Sequence, residues 1–119
     1  MASRPVIKLP VTARPRPGVR YTAMAALSGG TLTGGTLPGG QYCVWLADRG
    51  EVIPVIWPYG YSARLDPLEI LDRHGTVLAR EGDLLIVGGG QISADPDRPC
   101  GLGQDHAFVI STISEVRRA

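Results

Sequence analysis

A chain of 119 residues that is 44% hydrophobic and 19% charged has the size and composition of one globular domain, and a second independent core is excluded. With 16 Gly, 10 Pro and only 7 aromatics, the composition favours many short strands over long helices, with an interior built from Val, Ile, Leu and Ala. Net charge is +1, but residues 1–20 carry Arg4, Lys8, Arg14, Arg16 and Arg20 with no acid, which leaves 7 basic and 11 acidic side chains, a net of −4, for the rest.

The first segment, 1–19, reads as an extended basic arm, because Pro5, Pro10, Pro15 and Pro17 remove backbone donors and bias their predecessors away from helix. It either pairs at a sheet edge through residues 6–9 or stays mobile. Such an arm suits nucleic acid, an acidic partner or a membrane surface; the plainer reading is a solvated end. These prolines also interrupt any secretory apolar core, and no run approaches the ~20 apolar residues of a membrane span. The expected setting is cytoplasmic, or exported with a signal removed.

Residues 20–119 read as a single small β-barrel domain. The run ALSGGTL within 26–32 predicts a long first strand bent at glycine. GGTLT, GGTLP and GG then repeat with a period of five across 29–40; this is local duplication, since a phosphate-binding loop requires Lys-Ser/Thr and a helix where Gln41 leads into a strand. YCVWLAD (42–48) and VIPVIW (52–57) are the clearest strands, joined at Arg49, Gly50 and Glu51 in a tight hairpin. Pro54 demands an edge or a bulge.

Around Pro67 a helical turn and a strand are equally compatible with Leu68, Ile70 and Leu71. TVLAR (76–80) and LLIVG (84–88) predict a second hairpin turning at Glu81, Gly82 and Asp83. A loop over 88–99 and a last strand over 107–116 complete the chain.

This order of elements resembles the OB-fold, a five-stranded Greek-key barrel. Separately, CVWLAD (43–48), WPYGYSAR (57–64), ILDRHG (70–75) and EGDLLIVGGG (81–90) resemble a poorly characterised family of small actinobacterial β domains. In that family a W-P-x-G segment precedes a D-x-x-G turn and a G-D hairpin leading to a glycine triplet. The likeness covers residues 40–90 and implies no activity. The OB resemblance implies oligonucleotide or oligosaccharide binding.

Trp57, Tyr59, Tyr61 and Arg64 form the leading candidate site, because aromatic faces and a guanidinium at one strand end stack on planar or sugar-like ligands. The plainer alternative has Trp57 filling the barrel and the tyrosines covering its end. Cys43 and Cys100 are either two separate thiols or a disulfide. A thiol site would pair Cys100 or Cys43 with His106 beside Asp105. Asp95, Asp97 and Asp105 match no zinc or EF-hand spacing, so no metal, cofactor or catalytic set is assigned. The expected function is a non-catalytic binding module for an unknown protein or small-molecule partner. Nucleic-acid binding is the first alternative and a small thiol-dependent enzyme the second.

Overall fold

Every regular element among the described residues is a strand, as short apolar runs broken by glycine and proline require. The computed structural model describes residues 4–13 and 26–119. The strands are β1 (Val6–Lys8), β2 (Ala26–Thr36), β3 (Tyr42–Asp48), β4 (Glu51–Ile53), β5 (Val55–Ile56), β6 (Ser62–Arg64), β7 (Glu69–Leu71), β8 (Val77–Arg80), β9 (Leu84–Ser93) and β10 (His106–Arg117). The fold is all-β, with a six-stranded sheet ordered β4-β3-β2-β9-β10-β5 and a four-stranded sheet ordered β1-β6-β7-β8. No helix among the described residues is long and apolar enough to cross a membrane.

The six-stranded sheet has an unusual pair of edges. β4 runs antiparallel to β3 through Leu46↔Ile53, whereas β5 runs parallel to β10 through Phe108↔Val55. Only Pro54 separates β4 from β5, and its carbonyl accepts the Phe108 N–H at 3.0 Å. The two edges of the sheet are therefore consecutive pieces of one extended segment, residues 51–56, which pairs with β3 at its start and with β10 at its end. β2, β3 and β4–β5 follow one another, and β9 returns to pair with β2; a fourth strand lying beside the first is the Greek-key arrangement.

The β3–β4 hairpin turns at Arg49 (φ 51) and Gly50 (φ 81). Positive φ at both central residues is the type I′ turn that matches strand twist.

Three expectations are corrected. β8 and β9 do not pair: the turn between them donates from Glu81 to Leu68 O and from Gly82 to Leu32 O, so it links the two sheets instead of closing a hairpin. Of the two alternatives around Pro67 the helical turn is corrected and the strand holds, with Glu69–Leu71 forming β7 of the β6–β7 hairpin. Residues 88–93 are strand, not loop, because β9 pairs with β10 as far as Ser93, and the approach is so close that a Cβ on Gly89 would overlap the Val109 carbonyl oxygen. The repeated glycines of β2 serve the same end, since a Cβ would stand 2.6 Å from Leu85 O at Gly29 and 2.8 Å from Ala47 O at Gly30.

The core draws on both sheets: Leu32, Leu46, Trp57, Ile70, Leu85 and Ile110 are all buried within it.

Candidate ligand groove

The four residues expected to form one aromatic and basic patch are separated by the structure. Trp57 is 0% exposed, its N–H donates to Pro10 O at 2.8 Å and its carbonyl accepts from Thr12 N at 3.0 Å. It is a core side chain and offers no face to a ligand. Its indole nitrogen is buried without a partner among the described residues. Arg64 turns to Glu69. Tyr59 is 45% exposed on the turn closed by Tyr61 N–H to Pro58 O at 3.2 Å. Tyr61 is half-buried against the core, and burial, reinforced by Asp72 and opposed by Arg73, raises its phenol pKa.

The basic segment is partly structural. β1 pairs with β6 through Val6↔Arg64 and Lys8↔Ser62, so residues 4–13 belong to the fold; residues 1–3 and 14–25 lie outside the described residues. Arg4 reaches Glu69 Oε1 at 2.8 Å and also donates to the carbonyls of Leu65 and Pro67. Arg64 meets the same oxygen at 2.7 Å, and Arg80 holds Oε2 at 3.0 Å. Glu69 is 4% exposed, and a buried carboxylate is tolerable only when so paired. The Arg64 hydrogen bond, helped by Arg4 and Arg80 against the opposing effect of burial, holds its pKa below the ordinary value. This cluster fastens β1 to β6, β7 and β8.

A different site emerges from three segments distant in sequence. Cys43 on β3 is joined by a disulfide to Cys100, with Cα atoms 5.5 Å apart. The bond draws the β9–β10 loop, residues 94–105, across the outside of β3. Further bonds hold it there: Trp45 Nε1 donates to Cys100 O at 2.8 Å, and Gln104 Nε2 donates to Val52 O at 3.1 Å. Arg98 organises the loop from within by donating to the carbonyls of Asp95, Gln104 and His106 at 2.8–2.9 Å.

Under this loop lies a groove of about 330 Å³, walled by Lys8–Pro10 on one side, by Gln41–Val44 on the other, and by Arg98, Pro99 and Cys100. A smaller hollow of about 80 Å³ continues it between Val44 and Val55. The volume lies at the lower end of ligand sites, at roughly 300–1,000 Å³. Two cations, Lys8 and Arg98, line it, neither with a carboxylate partner among the described residues, and no acid lines it. Tyr42 supplies a neutral phenol, its pKa raised by burial first and then by Glu81 and Asp66.

Other candidate chemistry is dispersed. Both cysteines of the chain are in the disulfide, which leaves His106 with no thiol to activate. His106 Nδ1 instead faces Asp105 at 3.2 Å on the surface. Asp95 Oδ1 accepts the Asp97 N–H at 2.9 Å, the use of a turn-forming aspartate. Sequence reasoning did not single out Tyr42, Val44 or Arg98, and named Lys8 only as one cation of the basic arm; the cysteine pair was the one signal that linked two of the groove's three segments. No family model, curated protein or solved structure matches the chain.

Proposed function

We propose that this chain is a non-catalytic β-barrel binding module whose ligand occupies the groove between Lys8–Pro10 and Gln41–Val44. The observation that carries the reading is the groove itself: a concave, largely apolar site held in shape by the Cys43–Cys100 bond and lined by two cations with no acid. Such a site selects an anionic ligand with an apolar body. The strand order supports an OB-type barrel, whose ligands lie over its second and third strands near the loop joining the fourth and fifth. In this chain those strands are β3 and β4–β5, and that loop is 94–105. The likeness to the W-P-x-G family of actinobacterial domains adds no activity to the proposal. Disulfides persist in oxidising compartments, so the same bond favours an exported setting over the cytoplasm.

The test is titration of isotope-labelled protein with a panel of small carboxylates and short acidic peptides, followed by amide chemical shifts. Expected shifts concentrate on Lys8, Gln41, Tyr42, Val44 and Arg98 and shrink at least tenfold in apparent affinity in Lys8→Glu. Shifts confined to the Tyr59 turn, or none with any member of the panel, would sink the reading. A single-stranded oligonucleotide that binds with steep salt dependence would replace it with nucleic-acid recognition.

A further inference from the structure

The backbone around the groove carries more than its side chains. Strand residues point both their N–H and C=O to one edge, and the edge alternates along the strand. Leu37 N donates to Gln41 O at 2.7 Å, and β2 and β3 pair without a break from Thr36↔Tyr42 to Thr31↔Ala47. Cys43, Trp45 and Ala47 therefore turn their backbone groups toward β2, while Tyr42, Val44 and Leu46 turn theirs away. On that outer edge β4 covers residues 46–48 only, through Leu46↔Ile53 and Asp48↔Glu51.

Continuing that register would set Val44 opposite Val55. The pairing stops instead at Pro54, where the chain bends to lie along β10. With Pro54 O committed to Phe108 N, Val55 also turns its backbone back toward β3. β3 and β5 thus diverge like a fork, and the hollow between Val44 and Val55 is the crotch of it. The segment Pro10–Thr12 fills one tine by bonding both backbone groups of Trp57. No strand ladder or bridge covers Tyr42 or Val44 on that edge among the described residues, and Val44 is only 4% exposed. The opposite wall is similar. Leu65 N donates to Pro5 O, so Pro5 and Ile7 face β6, and Lys8 lies on the unpaired side of β1.

We infer that the groove receives an extended acidic peptide as an added β-strand, hydrogen-bonded to the Tyr42–Val44 edge of β3. This deepens the proposed binding function and rests on it. Unpaired strand edges are templates for exactly one kind of partner, another extended chain. The open edge from Tyr42 to Val44 spans about 7 Å at ~3.4 Å per residue, room for about three peptide residues. Leu9, Tyr42, Val44 and Pro99 offer apolar contact to alternate side chains, and Lys8 and Arg98 set the preference for carboxylates. A lysine-bearing strand would meet two cations and no acid.

The experiment uses the oxidised full chain, labelled with nitrogen-15, and two blocked pentapeptides, acetyl-DVDVD-amide and acetyl-KVKVK-amide. The first is expected to shift the groove resonances and, at saturation, to slow amide exchange at Val44 at least tenfold. The second should bind at least tenfold more weakly, and Lys8→Glu should reduce that difference to threefold or less. If acetyl-DVDVD-amide shifts the groove but leaves Val44 exchange unchanged, strand addition is wrong and the binding-module reading stands. Equal affinity for the two peptides would overturn the acidic preference. Protection of Val44 that rises with protein concentration and excludes the peptide would assign the edge to a second copy. Absence of groove shifts with both peptides and with every small carboxylate removes both proposals together.

Discussion

Replacing Cys43 and Cys100 together by alanine tests the role of the staple most directly. The two residues are 57 apart in sequence, and a bond closing such a loop removes about 14 cal/mol/K from the unfolded ensemble, or about 4 kcal/mol at 25 °C. The folded side changes little. Trp45 still reaches the backbone carbonyl at position 100, Gln104 still reaches Val52, and Arg98 still holds three carbonyls of its own loop. Most of the loss should therefore arise from the unfolded chain. Urea unfolding followed by tryptophan emission should show stability lower by about 4 kcal/mol, with a larger m-value because the uncrosslinked chain exposes more surface. The midpoint of thermal unfolding should fall by roughly 15 °C. A loss below about 1 kcal/mol at unchanged m would refute the entropic argument, and two free thiols in denatured wild-type protein would remove its premise.

Glu69→Gln should destabilise by about 2 kcal/mol, less than the ~3–5 of a fully buried pair because the guanidinia of Arg4, Arg64 and Arg80 are a third to a half exposed. The folded pKa of Glu69 is depressed, so its contribution is complete above the unfolded value of roughly pH 4.3 and is lost as pH falls through the folded value. Acid titrations of stability should show wild type and Glu69→Gln converging there; a constant gap at all pH values would contradict this. Gly89→Ala should cost about 2 kcal/mol or more, since its Cβ would overlap backbone at Val109. Gly35→Ala should stay within about 0.5 kcal/mol, because its Cβ would meet only the Trp45 ring at 3.6 Å; similar denaturation midpoints for the two would refute the close-approach account. Trp57→Ala should cost about 3–5 kcal/mol as a core truncation, whereas Tyr59→Ala should leave stability within about 0.5 kcal/mol; calorimetry showing the reverse order would restore Trp57 to the surface.

The strands were legible where local pattern decides them. Residues 42–48 and the Arg49-Gly50 turn announce a hairpin through apolar β-formers around a glycine, and the structure has that hairpin. Local pattern fails where a long-range neighbour decides. Glycines at 88–90 look like a loop until β10 is laid against them, and the Asp83 turn looks like a hairpin until its amides are found bonded to Leu32 and Leu68. The aromatic patch failed for a related reason. Trp57 and Tyr59 are neighbours in sequence, but one ends a strand pointing inward and the other lies on an exposed turn. Composition near a strand end does not specify which way a ring faces. The groove was illegible because its walls come from residues 8–10, 41–44 and 98–100, and nothing periodic connects them.

Pro54 connects the fold to the groove. Its carbonyl faces β10 and accepts the Phe108 N–H, and the chain at that point leaves β3 for β10. The transfer makes the two edge strands of the large sheet, β4 and β5, consecutive parts of one segment. The ladder between β3 and β4 ends at Leu46↔Ile53, and Val55 pairs with Phe108 of β10 instead of with Val44. The N-terminal segment that Arg4 anchors to Glu69 then occupies only the β5 side of the fork, and the Cys43–Cys100 bond holds loop 94–105 over the other.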